Sequence, residues 1–460
     1  MVDLVLSLVA ARTAAVDGGG GSWPVALVAI AAAIGAPALS ALVLALSLLL
    51  RDRRPSEAMV FRLVATGLDV SVVAAAVLVG ALLFDGGIAG EHEAGRWVAV
   101  GSYAVPVVFL VDGVAVAFST LAAVLTAVVA RFSRTYLHRE RGFARFFLLL
   151  AVFGTGAQLV ALSGAFDLFF AGWELLGLSS MLFIGFFFER DEPVRSAMRA
   201  FATYRLCDVG FFVAVVATHE VFGSTRLSVL QAAEAVPLWQ RSTIAALFLV
   251  AALGKSAQLP FSSWLPRAME GPTPTSALFY GGVSIHAGLY LTLRVWPLLD
   301  ASPVVEVVGV VVGLCTAAYG ALLARAQSDA KGALAHATLA QTGLILAEIA
   351  AGLTTLALVH LVGHALLRVW QYLRAPNTLH DAHHRGHALP SSPWWERALP
   401  GRLRVRLYAA AIHRFRLDDL LDAVVAPVLS VARSLDRFDR AARATTSLDR
   451  GLALRDGDPR

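Results

Sequence analysis

Charge is what this 460-residue chain has little of. Only 15% of its residues are Asp, Glu, Lys or Arg, against roughly a quarter in soluble domains. Lysine is nearly absent: among 38 basic residues only Lys255 and Lys331 are lysines, and arginine supplies the rest. Cysteine is as scarce. Cys207 and Cys315 lie in apolar stretches and form no CxxC pair, which excludes a disulfide framework or an iron–sulfur site and leaves them as small core residues. No glycine-rich nucleotide fingerprint follows a strand pattern. The formal net charge of +5 comes mostly from loops and the tail, a pattern of membrane topology and not of nucleic-acid binding.

In place of charge there is hydrocarbon. Hydrophobic residues make up 57% of the chain, mean hydropathy is +0.69, and apolar runs long enough to cross a bilayer recur along most of its length. The alternating ten-residue segments of a β-barrel do not appear. The expectation is an all-α polytopic membrane protein of about eleven transmembrane helices, at 24–50, 58–84, 113–131, 143–163, 166–188, 198–218, 243–264, 274–297, 303–324, 332–351 and 354–373. Residues 1–23, with the run GGGGS, read as an N-terminal lead, although a short signal h-region also fits. Residues 24–374 form the transmembrane domain. Residues 375–460 are polar, then amphipathic, and read as a cytoplasmic or peripheral tail for partner docking. Loops after odd spans carry RDRRP, RFSRTYLHRERGFAR, ERDEPVRSAMR and RAQSDAKG. The positive-inside rule places them in the cytoplasm, with the N-terminus outside, the C-terminus inside and the protein in the plasma (inner) membrane.

Ionisable residues within spans are costly, at about 2.5–3.5 kcal/mol each on insertion scales, and are functional candidates by default. Several stand out: Glu174, Arg205, Asp208, Lys255, His286, His360, His364 and Arg368, with Tyr280 six residues before His286. His360, His364 and Arg368 are spaced i, i+4, i+8 and share one helix face, a stripe able to order waters and pass protons between imidazoles. Lys255 stands against the arginine bias, and lysine can lose its proton when buried whereas arginine does not. Glu174 or Asp208 could act as its counter-charge. Pro260 removes a backbone donor and breaks the helix beside Lys255, as in discontinuous helices that line ion pathways. Each feature also has a plain reading. Glu174 with Arg205 or Lys255 could be a static ion pair, the histidines could be packed and neutral, and Lys331 with Asp329 could be a solvated loop pair. His380, His383, His384 and His387 in HDAHHRGH lack a cysteine or a second patterned pair, so no metal site and no cofactor is expected.

The segments GWELLGLSSMLFIGFFF, GKSAQLPFSSWLPRAMEGPTPTSAL, SDAKGALAHATLAQTG and HLVGHALLRVWQYL resemble the antiporter-like proton-translocating subunit family, over about residues 110 to 374. That family includes subunit L (chain 5) of respiratory complex I and the large subunit of Mrp-type sodium/proton antiporters. The resemblance implies a family fold with a broken seventh helix, and places Glu174 at the glutamate of the fifth helix. Lys255 falls at the central proton carrier, Arg205 and Asp208 at the charged pair of the sixth helix, and His360 and His364 at two histidines of the eleventh. Two positions depart. The histidine of the eighth helix falls at Tyr280, with His286 one and a half turns on as a substitute, and the lysine after the two histidines falls at Arg368. The implied proton pathway is Glu174, Asp208, Lys255, His286, His360 and His364, supported by Arg205, Pro260, Tyr280 and Arg368.

After the eleventh span the family continues through a second broken helix; here the character turns polar, and RFRLDDLLDAVVAPVLSVARSLDRFDRA resembles the family's lateral region. That pattern looks most like the membrane subunit (DabB) of the DAB-type inorganic-carbon accumulation complex. The resemblance implies a partner, a cytoplasmic zinc protein related to β-carbonic anhydrases (DabA-like), that hydrates CO2 to bicarbonate, with this chain as the non-catalytic ion-coupling subunit. A proton-pumping or cation/proton antiporter subunit of a complex I-like or Mrp-like assembly, and a non-translocating membrane anchor for a soluble enzyme, are the other expectations.

Overall fold

A computed structural model describes residues 23–50, 55–84, 87–100, 103–327, 329–375 and 400–417, with scattered positions between 419 and 437. The anticipated lead and the histidine-rich stretch at 380–387 lie outside the described residues. Among those residues, nine helices are long and apolar enough to cross a membrane. Helices predominate because a chain in lipid has to satisfy every backbone N–H and C=O internally.

The first helices are α1 (Trp23–Leu50), α2 (Glu57–Phe84), α3 (Gly113–Tyr136), α4 (Phe143–Leu162), α5 (Phe166–Ile184) and α6 (Asp191–Phe222). Asp112 caps α3 by accepting from the Ala115 amide at 2.8 Å, and α6 ends on left-handed Gly223. Then follow α7 (Leu238–Lys255), α8 (Thr273–Ser276), a π-helical turn over Ala277–Gly282, α9 (Ser284–Arg294), α10 (Trp296–Asp300), α11 (Pro303–Ala326), α12 (Ala330–Ala350) and α13 (Thr354–Arg374). In a separate unit of the chain, Ser391–Arg460, helix α14 spans Gly401–Ile412.

Two of the eleven anticipated spans have a different form. The seventh is helical only to Lys255, and the eighth is interrupted by the π turn before α9 begins. Pro260 accounts for the first break. Its ring forbids a helical carbonyl four residues back, at Ser256, and that carbonyl instead accepts from Gln258 Nε2 at 3.1 Å. The chain continues through a cis Leu259–Pro260 bond and two short 3₁₀ turns. Other groups freed by the break find partners: the Gly254 carbonyl accepts from the Trp264 indole at 3.1 Å, and the Leu259 amide donates to Thr316 Oγ1 at 3.0 Å.

One element has no counterpart in the sequence reading. Residues 90–111, between the second and third anticipated spans, form an antiparallel hairpin of β1 (Gly90–Val100) and β2 (Tyr103–Val111), with Gly90 opposite Val111. Arg226 ties it to the α6–α7 connection through Glu91 Oε2 at 3.1 Å and through Glu93. Backbone bonds from Gly164 to Val108 and from Leu227 to Gly164 complete this layer. Next to it, Arg294 at the end of α9 grips Asp112 with two bonds of 2.7 and 2.9 Å.

The α11–α12 pair is set by small residues. A Cβ on Gly313 would lie 2.7 Å from both the Ala347 nitrogen and the Gly343 oxygen, and one on Gly343 2.6 Å from the Ala317 nitrogen. The two backbones touch, as small-residue interfaces in membranes allow.

Candidate functional site

The centre of the site is the end of α7. Lys255 is its last residue, and the C-terminal end of a helix dipole favours a cation. Its side chain is 1% exposed. The ammonium donates to the Trp173 carbonyl at 3.0 Å and lies 4.8 Å and 5.0 Å from the ring centres of Trp173 and Tyr204. Both rings offer it their negative faces. Two glycines make this placement sterically feasible. A Cβ on Gly177 of α5 would sit 3.0 Å from the Lys255 nitrogen, and one on Gly254 would collide with Cys207 of α6. The missing side chain at 177 admits the ammonium, and the one at 254 lets α6 and α7 approach closely.

Three charged side chains from the sequence reading join it. Arg205 bridges Glu174 of α5 and Asp208 of α6, reaching Asp208 Oδ2 at 2.9 Å. The Trp173 indole donates to Asp208 Oδ1 at 2.5 Å. The four groups sum to zero formal charge, which moderates the cost of placing them at membrane depth. Of the two pairings anticipated for Glu174, the one with Arg205 forms, while Lys255 contacts a carbonyl and two rings. Arg205 is also the most open member, with its side chain 39% exposed against 5% for Asp208.

A second group lies on α9 and α13. His286 is fully buried and His364 and Arg368 nearly so. His286 Nδ1 is 2.5 Å from the Gly282 carbonyl, His286 Nε2 is 3.0 Å from His364 Nδ1, and Arg368 Nε is 3.2 Å from His364 Nε2. The tautomers follow from this chain. The guanidinium only donates, so His364 Nε2 accepts, and its ring proton lies on Nδ1. That proton is donated to His286 Nε2, and His286 Nδ1–H is donated to the carbonyl. Both rings are thus neutral, with protons on Nδ1. Nitrogen-15 NMR of the histidine-labelled protein is expected to show His286 and His364 as Nδ1–H tautomers, and Arg368→Ala to release His364 from that form.

His360, expected on the same stripe, is not bonded to His364; their ring centres are 6.3 Å apart. Instead its Nδ1 faces both oxygens of Glu348 on α12, at 2.9 and 3.1 Å, and its Nε2 lies 3.0 Å from Gln341 Oε1. Pro260 lies in the break beyond Lys255, and the Tyr280 side chain lies outside the described residues. The two groups meet along α9. A Cβ on Gly288 would lie 3.0 Å from Ser256 Cβ, and Ser284 pairs with Ser180 of α5 at 3.2 Å. The Lys331–Asp329 loop pair is replaced by separate roles: Lys331 donates to Thr273 Oγ1 at 2.7 Å, and Asp329 caps α12 through the Gly332 amide at 2.7 Å.

The sequence reading passed over Trp173, Gly177, Gly254, Gln341 and Glu348. Glu348 alone had a usable signal, being a lone acid in an apolar span. Among the described residues, no cluster of three or more His, Cys, Asp or Glu could hold a metal ion.

Comparison with known proteins agrees with this architecture. Residues 163–389 match the family described as NADH:quinone oxidoreductase/Mrp antiporter, TM, and residues 97–147 match NADH-Ubiquinone oxidoreductase (complex I), chain 5 N-terminus. NADH-quinone oxidoreductase subunit L of Neisseria meningitidis (serogroup A) is 30% identical over 333 residues, 69% of this chain and 49% of that protein. The chloroplastic NAD(P)H-quinone oxidoreductase subunit 5 of Nephroselmis olivacea is 33% identical over 304 residues, covering 64% and 46%. The chain thus spans about half the length of the curated relatives it matches. A chain in the structure of the Mrp complex from Dietzia sp. DQ12-45-1b superposes with a TM-score of 0.65 at 26% identity, over 82% of this chain and 40% of that one. One in the membrane-bound sulfane sulfur reductase, an archaeal respiratory complex, shares the fold at a TM-score of 0.63 and 16% identity, over 75% and 70%. With its interrupted seventh and eighth helices, its in-span charges and these matches, the chain belongs, over residues 97–389, to the antiporter-like membrane-subunit family of complex I subunit L (chain 5) and the Mrp antiporters.

Proposed function

We propose that this chain is a proton-translocating, energy-coupling membrane subunit of a multi-subunit complex, and that it performs no catalysis itself. The observation that carries the proposal is the buried Lys255 ammonium at the broken end of α7, held by a carbonyl and two rings beside a Glu174–Arg205–Asp208 bridge. A lysine held in this way can release its proton when a neighbouring counter-charge moves. Arg205 sets where the two carboxylates sit, and a shift of its bridge between them alters the field at Lys255. Protons then pass along α9 to His286 and His364, through the contact near Ser256, Gly288 and Ser284.

For the complex we favour inorganic-carbon accumulation of the DAB type. Ion entry through this chain then drives CO2 hydration in a cytoplasmic zinc-dependent partner related to β-carbonic anhydrases, docked on the tail at 375–460. Support comes from that segment's composition, polar and then amphipathic, where the family resemblance implies further spans. A subunit of a complex I-like or Mrp-like assembly is the second reading, favoured by the names of the relatives themselves. Co-purification separates the two. The first expects one large cytoplasmic zinc protein, and bicarbonate accumulation that a protonophore abolishes. Co-purifying quinone-oxidoreductase or antiporter subunits support the second, and accumulation that survives the protonophore overturns the first.

A further inference from the structure

Glu348 stands outside the pathway implied by the family resemblance, yet its surroundings are those of a transfer group. Both of its oxygens face His360 Nδ1, and the other His360 nitrogen faces Gln341 Oε1. Acceptors on both sides suit a ring protonated at both nitrogens, with a carboxylate as its counter-charge. The Glu348 and His360 side chains are 20% and 23% exposed, whereas His364 is 6% exposed and His286 is fully enclosed. Exposure therefore rises from His286 through His364 to the His360–Glu348 pair, whose two members are about equally open. An ionised carboxylate facing acyl chains is costly, so the flank formed by α12 and α13 is best met by water or by polar groups of another subunit.

Building on the translocation reading above, we propose that Glu348 is a proton-transfer residue of this chain, exchanging protons between the buried histidine pair and the α12–α13 flank. The step balances. The Nδ1–H bond of the His360 imidazolium breaks, and an O–H bond forms on Glu348, leaving two neutral groups. The acid releases that proton to water at the flank and is again a carboxylate. His360 keeps its proton on Nε2, toward Gln341, and the vacated Nδ1 is refilled once an incoming proton has made His364 an imidazolium, which gives up one of its two protons by way of water and returns to the neutral form; the two ring centres are 6.3 Å apart. Arg368, bonded to His364, is the fixed cation behind this row and favours departure of the proton away from itself.

The test uses the full chain, purified with the subunits that accompany it and reconstituted in proteoliposomes. Glu348→Gln is isosteric and keeps an acceptor oxygen for His360, so a merely structural contact survives it. Glu348→Asp keeps the acid. The expected result is normal assembly of Glu348→Gln with proton flux reduced about a hundredfold, and substantial recovery in Glu348→Asp. Flux in Glu348→Gln within about twofold of wild type, while Lys255→Ala conducts nothing, overturns the Glu348 assignment and leaves the translocation reading standing. Assembly of Glu348→Asp but not of Glu348→Gln makes the carboxylate a structural ion-pair partner and also overturns it. Wild-type flux in Lys255→Ala instead defeats the broader reading on which the proposal rests.

Discussion

Lys255→Ala is expected to reduce proton flux in reconstituted vesicles by about a hundredfold or more, the scale on which a positioned acid–base group contributes, and Lys255→Arg is expected not to restore it. The arginine variant is the informative one. It keeps the formal neutrality of the cluster with Glu174, Asp208 and Arg205, so a lysine needed only as a counter-charge tolerates it. A guanidinium stays protonated, however, and the ammonium already lies 3.0 Å from where a Cβ on Gly177 would be. The check is dye-monitored acidification under an imposed gradient, with assembly measured in parallel, because Lys255→Ala also leaves the buried Asp208 with one fewer cation nearby. Wild-type flux in Lys255→Arg makes Lys255 a fixed charge and not a carrier.

The largest structural effect is expected at Gly254. A Cβ there would stand 2.3 Å from Cys207 Sγ and 2.4 Å from Cys207 Cβ, so Gly254→Ala forces α6 and α7 apart. Overpacking of this kind costs about 1–3 kcal/mol, occasionally more. Here it also displaces Lys255, the adjacent residue, so stability and flux fall together. Cys207→Gly in the Gly254→Ala background removes both atoms of the clash. It should recover most of the lost thermal stability in detergent, less about 1 kcal/mol for a glycine within α6. Each substitution measured alone and together forms a double-mutant cycle, and a double variant no more stable than Gly254→Ala alone places the strain elsewhere.

The membrane explains why so much of the fold was legible. With helices almost the only way to satisfy backbone polar groups in lipid, apolar runs and their interruptions suffice to mark the spans, and Pro260 marks the break. The β-hairpin at 90–111 was not legible, because its strands, GEHEAGRWVAV and YAVPVVFLV, lack clean alternation. At the candidate site, in-span charge identified the groups but not their partners. Spacing along one helix linked His360 to His364 and Arg368, yet the bonds of His360 run across to α12. Whether Glu174 meets Arg205 or Lys255 depends on how closely α5, α6 and α7 approach, which glycines 177 and 254 decide. No single-helix pattern contains that information. Glu348 satisfied the same criterion as Glu174, a lone acid in an apolar span, and only its contact across α12 and α13 gives it significance.

The most direct measurement of proton translocation by this chain is flux through the purified wild-type complex in proteoliposomes under an imposed inside-negative potential. Lumen acidification that exceeds protein-free vesicles, requires Lys255 and persists without sodium is the expected result. Vesicles no more proton-permeable than protein-free ones, from a complex that is fully assembled, would contradict it and leave the chain a membrane anchor.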